Sequence, residues 1–262
     1  MPARTAYEPG TPSWTDLMTP DPAAAKVFYT SLFDWDYVDE DTGMPDNPYT
    51  IASRSGKSVA GMGRQFDEEK AQGIPPHWNT YVTVSDVDAA TAKAKGLGAS
   101  VFAEPMDAMD AGRMAVLADP TGAVFSLWQA KQHIGAELVN EHGTLTWNEL
   151  ITPDVDAAAK FYGDLFGWKA QTDDVGGGMM YTAFMLGDRT IGGAMKPPMD
   201  GIPPNWGVYF AVDDTDATVA TAKQGGASVI MEPNDIPPGR MAVLTDPQGA
   251  VFSVLALAQP GD

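Results

Sequence analysis

The chain has 262 residues, 44% of them hydrophobic and 10% aromatic, with 27 glycines, 21 prolines and a formal net charge of -19. The length points to two domains and the composition to packed cores rather than disorder. A balance of 35 acidic to 16 scattered basic residues argues against a nucleic-acid partner, and the absence of cysteine excludes disulfides, thiolate nucleophiles and Cys-ligated zinc or iron–sulfur centres.

The first residues, Met1 to Glu8, lack the apolar core of a signal peptide. No apolar run reaches the ~18 residues of a membrane span. A cytoplasmic protein without a membrane partner is the expectation. The acidic surface chiefly serves solubility.

Residues 14–18 read as a strand that places Trp14, Asp16 and Met18 on one face and Thr15 and Leu17 on the other. Asp21 caps a helix with Pro22 at its first position, where the missing N–H costs nothing. The helix runs to about Phe33, with Ala24, Phe28 and Leu32 as its buried stripe. Residues 49–53 and 58–62 read as strands joined by a turn at Ser55-Gly56-Lys57, and 64–76 as a connection. A strand over 78–84, a helix capped by Ser85 or Asp86 and ending at Gly96–Gly98, a strand over 99–103, a loop over 104–112 and a hairpin over 113–128 complete a second unit.

The hairpin turns on the octet Asp119-Pro120-Thr121-Gly122-Ala123-Val124-Phe125-Ser126, which returns 127 residues later as Asp246-Pro247-Gln248-Gly249-Ala250-Val251-Phe252-Ser253. Asp-Pro-x-Gly is turn chemistry: Pro fixes φ, Asp bonds back to nearby backbone, and Gly takes the left-handed conformation. Residues 10–37 and 143–170 match at 14 of 28 positions without a gap. The chain is therefore a long internal repeat: four βαβββ modules starting near residues 10, 75, 143 and 203. Domains are expected at 1–130 and 143–262, with a linker at 131–142. Two pairings of the modules stay open, one with two and three with four, or one with four and two with three.

Four such modules, each opening on a strand and an Asp-capped helix, with Phe-Tyr in the helix of the first and third and an Asp-Pro-x-Gly hairpin closing each half, resemble the vicinal oxygen chelate superfamily of glyoxalase I, bleomycin-resistance proteins and extradiol dioxygenases. The resemblance covers about residues 10–258. The tandem layout and the openings Trp14-Thr15-Asp16-Leu17 and Trp147-Asn148-Glu149-Leu150 are most similar to actinobacterial proteins described as hydroxylase-like or glyoxalase-like. It implies an α+β fold of two domains with curved half-barrel sheets, each holding a substrate in its cup. Metal-using members take one ligand seven residues before the helix-capping Asp and another seven after the Asp of the hairpin. Those positions here are Trp14, Asn79, Trp147 and Gly207, and Ser126 and Ser253. None is His, Glu or Asp, so the resemblance carries over fold and pocket but not the metal, and no cofactor is expected.

On the cup face, Trp14 and Trp147 read as an aromatic wall or, alternatively, as side chains that fill the barrel. Asp16 and Glu149 share that face and are the candidate catalytic pair, as base, hydrogen-bond anchor or contact to a cationic group. The alternative is a structural pairing with Arg113 or Arg240. Asn79, Tyr81, Gly207 and Tyr209 line the opposite wall, with Gly207 open where Asn79 fills. Ser126, Ser253 and Trp128 add lining, the serines without a matched His to make them nucleophiles. His77, His133 and His142 have no zinc-site spacing, and Gly176-Gly177-Gly178 reads as a hairpin loop.

The expected function is metal-independent binding of a small apolar or aromatic organic molecule, for tailoring or sequestration of a metabolite. The alternatives are a cofactor-free hydroxylase- or isomerase-type activity, a metal-dependent lyase or dioxygenase with atypical ligands, and an interaction protein with filled cups.

Overall fold

The computed structural model describes residues 3–44 and 47–258. In the first half β1 (Pro12–Thr19), α1 (Pro22–Phe33), β2 (Asp36–Glu40), β3 (Tyr49–Arg54) and β4 (Lys57–Arg64) form one module. A short α2 (Asp67–Ala71) leads to the second: β5 (His77–Thr83), α3 (Val87–Gly96), β6 (Ser100–Ala108), β7 (Gly112–Ala118) and β8 (Val124–Ala130). The second half repeats this with β9 (Leu145–Ile151), α4 (Val155–Phe166), β10 (Lys169–Asp174), β11 (Met180–Leu186), β12 (Arg189–Met195), β13 (Asn205–Ala211), α5 (Thr215–Gln224), β14 (Ser228–Ile236), β15 (Gly239–Thr245) and β16 (Val251–Leu257). No helix among the described residues is long and apolar enough to cross a membrane.

Local chemistry accounts for these boundaries. The carboxylates of Asp21, Asp86, Asp154 and Asp214 each accept from the backbone N–H three residues on, at Ala24, Ala89, Ala157 and Ala217, and so start α1, α3, α4 and α5. Ser55 and Gly56, both at positive φ, make the tight β3–β4 turn. Three local expectations change. The connection at 64–76 contains α2, where the Glu69 carboxylate accepts from the Phe66 N–H. Residues 104–108 are not loop but the end of β6, an edge strand whose register slips twice and which tolerates Pro105 there. On α1, Ala24 is exposed, and Ala25, Phe28, Tyr29, Leu32 and Phe33 form the buried stripe. The stripe is rotated because Tyr29 carries a buried hydroxyl that must meet a partner inside.

Each half forms one eight-stranded sheet, ordered β2-β3-β4-β1-β5-β8-β7-β6 and β10-β11-β12-β9-β13-β16-β15-β14. Within each sheet the modules join through an antiparallel pair of first strands, β1 with β5 and β9 with β13. Modules one and two, and three and four, therefore share sheets. The helix-covered faces pair the other way. One core joins α1 and its strands to Val208, Phe210, Leu244 and Phe252 of module four. The other joins Val82, Leu117 and Phe125 of module two to Phe161, Tyr162 and Phe184 of module three. Both pairings exist, one in hydrogen bonds and one in apolar packing.

The Asp-Pro-x-Gly hairpins fasten these mixed cores. Asp119 Oδ1 accepts from the backbone N–H groups of Thr121 and Ala123, which sets the turn. Its Oδ2 accepts from Tyr162 Oη at 2.9 Å, which in turn accepts from Trp206 Nε1 at 2.8 Å. The mirror image is Asp246 Oδ2 with Tyr29 Oη at 3.0 Å and Trp78 Nε1 at 3.1 Å. Each turn Asp is buried and reaches into the opposite domain. The Phe-Tyr of the helix and the Asp of the hairpin are thus two ends of one contact, and the opposite faces of the sheets are left to form two cups.

Candidate functional site

The first cup is built around Asp16. Strand alternation points Trp14 and Asp16 inward from β1, and Asn79 and Tyr81 from β5, with Asp16 opposite Asn79 in register. Asp16 Oδ1 accepts from Asn79 Nδ2 at 2.9 Å. Its Oδ2 accepts from Tyr81 Oη at 2.8 Å and from Tyr49 Oη at 2.9 Å. Tyr49 Oη also accepts from Trp14 Nε1 at 3.0 Å. Tyr49 reaches this place because Gly61, the β4 neighbour of Asp16, has no Cβ: one added there would lie 1.9 Å from the hydroxyl. Burial pushes the Asp16 carboxyl up, opposed by Asn79, Tyr81 and Tyr49. Ser126 lies level with Tyr81 on the paired strand β8 and is buried there.

The Trp14 and Trp128 end of this cup is filled by the chain itself. After β8 the linker turns back, and the His133 ring sits edge-on to Trp14 with centroids 4.4 Å apart. Trp128 Nε1 donates to the His133 carbonyl at 2.9 Å, and the Ala136 N–H donates to the Ser13 carbonyl at 2.8 Å. Trp14, Tyr81, Trp128 and Ala136 form one buried cluster. Burial lowers the His133 pKa and keeps its ring neutral. In this domain Trp14 packs against Tyr81, Trp128, Ala136 and the His133 ring.

The second cup uses the same plan with different occupancy. Trp147 and Glu149 point inward from β9, Gly207 and Tyr209 from β13, Ser253 from β16, and Tyr181 from β11. Tyr209 Oη donates to Glu149 Oε2 at 2.5 Å, and Trp147 Nε1 donates to Tyr181 Oη at 3.0 Å. The Tyr181 hydroxyl also favours the charged carboxyl, and Ser253 lies level with Tyr209 on the paired strand. Gly193 makes room for Tyr181 as Gly61 does for Tyr49, since a Cβ there would lie 2.0 Å from the hydroxyl. Two differences stand out. Gly207 replaces Asn79, so Glu149 Oε1 is buried with no hydrogen-bond partner. No described segment takes the linker's place: Trp147 is half-buried where Trp14 is 3% exposed. Tyr209, Met241 and Leu255 form a small buried apolar cluster, with the half-buried Trp147, Ile236, Val243 and Leu257 packed around it. Leu255 stands where the first cup has Trp128.

Neither carboxyl meets an arginine. Arg113 is held by Asp88 and Asp107, and Arg240 by Asp216 and Asp235, on exposed surface. Amide and phenol donors on the cup face, from Asn79, Tyr81 and Tyr49, hold Asp16 instead. Sequence reasoning did not single out Tyr49, Tyr181, Gly61 and Gly193. A Tyr and a Gly recur at matched places in both repeats, and that recurrence was the available signal. It also left His133 as a linker residue, and no sequence pattern marks it as a plug.

Residues 11–127 and 144–254 match the family described as the Glyoxalase/Bleomycin resistance protein/Dioxygenase superfamily. The chain belongs to that superfamily. Its relatives include a protein of Mycobacterium tuberculosis named as a glyoxylase, CFP32, 50% identical over 97% of this chain and 98% of that one. Another is the anthracycline biosynthesis protein DnrV of Streptomyces peucetius, 40% identical over 97% of this chain and 96% of that one. Among solved structures, the Mn(II)-bound glyoxalase of Novosphingobium aromaticivorans superposes with a TM-score of 0.64 at 16% identity, covering 96% of this chain and 85% of that one. Homoprotocatechuate 2,3-dioxygenase of Brevibacterium fuscum, in complex with 3,4-dihydroxyphenylacetate, gives 0.63 at 16% identity, covering 99% and 84%. These last two likenesses are of fold.

The superfamily raises the question of a metal. The donors in each cup are one carboxylate and two tyrosine hydroxyls, with an asparagine in the first. Among the described residues no three His, Cys, Asp or Glu side chains converge. Hard and borderline cations require several carboxylates or imidazoles, so this donor set does not fit a resident divalent metal.

Proposed function

We propose that the chain binds a small apolar or aromatic organic molecule in the cup of its second domain, without a metal, as a step in tailoring or sequestering a metabolite. The observation that carries this is a buried carboxylate, Glu149, whose Oε1 has no hydrogen-bond partner, beside a half-buried indole, Trp147, and the apolar side chains of Met241, Val243 and Leu255. Ligand sites are apolar concavities with a few placed polar groups. A relative named for anthracycline biosynthesis and a fold neighbour in complex with 3,4-dihydroxyphenylacetate fit a reading in which the ligand is aromatic.

If there is turnover, Glu149 is the residue placed to take part. Burial raises its pKa, opposed by Tyr209 and Tyr181, which moves a carboxylate toward the range useful to a general base. Asp16 has both oxygens engaged and serves as the centre of a packed network.

Native mass spectrometry of protein purified from its own cell extract tests the reading. A retained organic mass that is lost in Trp147→Ala supports it. A retained mass unaffected by that change refutes the second-cup assignment. Metal analysis of the same sample addresses the metal-dependent alternative, for which close to one tightly held Mn, Fe, Ni or Zn per domain would be required.

A further inference from the structure

The two cups differ at one position in a way that specifies the ligand. In the first, the Asn79 amide donates to Asp16 Oδ1 at 2.9 Å. The position opposite Glu149 in the second is Gly207, in the same register on the paired first strand. The Glu149 oxygen that lacks a partner, Oε1, corresponds to the one Asn79 satisfies. Its other oxygen is held by Tyr209, as Tyr81 holds Asp16. A buried acceptor left unmade carries a desolvation penalty that a partner would remove. The position opposite has room for a side-chain atom: a Cβ built on Gly207 meets nothing nearer than the Glu149 carbonyl oxygen at 3.6 Å.

We infer that the ligand of the second cup carries an N–H or O–H donor that occupies the space beside Gly207 and hydrogen-bonds Glu149 Oε1, while its ring lies against Trp147. The inference rests on the aromatic-cup reading above and narrows it to donor-bearing rings such as phenols, aryl amides and arylamines. The first cup displays the same recognition within one chain. Its Asn79 amide supplies the donor, and its His133 ring supplies the aromatic group edge-on to Trp14. The carboxylate acts as acceptor here, as it already does toward the Tyr209 hydroxyl.

The test uses 2-naphthol and 2-methoxynaphthalene, which share a ring system and differ in the donor. Isothermal titration calorimetry is run on the wild-type chain, Gly207→Asn and Glu149→Gln, each checked for folding by its thermal melt. The wild type is expected to bind the naphthol more tightly than the ether by roughly ten- to a hundredfold, the worth of one hydrogen bond to a charged group. Gly207→Asn is expected to fill the space with its own amide, to melt at a higher temperature than the wild type, and to lose naphthol binding. Glu149→Gln is expected to bind the two probes within about threefold of each other, since the amide is a weaker, uncharged acceptor. Equal binding of the two probes to the wild type, or an undiminished naphthol preference in Gly207→Asn, overturns the donor inference while leaving the aromatic cup in place. Failure of the folded wild type to bind either probe overturns the aromatic cup and the inference together.

Discussion

Tyr29→Phe removes one hydroxyl from a fully buried ring and leaves the ring itself in place. In the structure that hydroxyl donates to Asp246 Oδ2 at 3.0 Å and accepts from Trp78 Nε1 at 3.1 Å. Asp246 is 4% exposed and Trp78 6%, so water does not readily replace the lost partner on either side. A hydrogen bond to a charged group contributes about 1.5–3 kcal/mol, and an orphaned buried donor adds to the loss, so the expected cost is roughly 3 kcal/mol. An entropy of unfolding of about 2.1 cal/mol/K per residue over a chain of 262 residues converts this to a fall of roughly 5 °C in Tm. Tyr162→Phe cuts the mirror contact to Asp119 and Trp206 and should cost the same. The two contacts share no residue, so the double variant should fall by about the sum, roughly 10 °C. Differential scanning calorimetry gives these values, with Tyr37→Phe as a control. The Tyr37 hydroxyl reaches only a half-buried carbonyl, that of Lys26 at 3.2 Å. If Tyr29→Phe moved Tm no more than Tyr37→Phe, the hairpin Asp would not be a fastening between the domains, and ring packing alone would hold them.

Gly193→Ala places a methyl 2.0 Å from the Tyr181 hydroxyl and should displace that ring, costing about 1–3 kcal/mol in a denaturant melt and weakening ligand binding in the second cup. Gly135→Ala sets a Cβ 2.4 Å from the Ser13 carbonyl oxygen at φ +106° and should lift the linker from the first cup. Limited proteolysis would then cut within residues 131–139 faster than in the wild type, and equal rates would contradict the plug. Burial raises the Glu149 carboxyl above its ordinary 4.5, so its contribution to stability is fully present below that pH and is lost as pH rises toward the folded value. Glu149→Gln removes the effect. Its Tm relative to wild type should therefore increase from about pH 4 to about pH 8, and a flat difference would argue against a strained carboxyl.

The modules were legible because their signals are local. A capping Asp, a Pro at the helix start and an Asp-Pro-x-Gly turn each act within four residues, and each stands where the sequence indicates it. That Trp14 shares a face with Asp16, and Trp147 with Glu149, follows from two-residue alternation, and that this face is the cup is what the resemblance to the superfamily implies. What the sequence hid lies at long range. Nothing within β3 marks Tyr49 as a cup residue, because its role depends on Gly61 of the paired strand β4 having no side chain. The rotation of the α1 stripe depends on Asp246, 217 residues from Tyr29. The contrast between a filled and an open cup depends on where a polar linker folds back, which neither periodicity nor composition encodes.

That fold-back sets the first half of the repeat apart from the second. A segment tethered directly after β8 meets the first cup at an effective concentration set by a few residues of chain, on the order of millimolar. A free ligand would have to displace it, so a side chain there gains more from packing than from recognition. Trp128, where the second half has Leu255, adds ring area against the plug and a donor to its backbone. Asn79, where the second half has Gly207, closes the last open valence of the carboxylate. Both residues add contacts within the first cup, and the first domain is fastened to the second by two Tyr–Asp contacts. The second cup keeps the smaller residue at each of these places, and an unfilled acceptor remains between them. Smaller residues and an unpaired buried oxygen both lower stability, and they are consistent with a site held open for something that is not part of the chain.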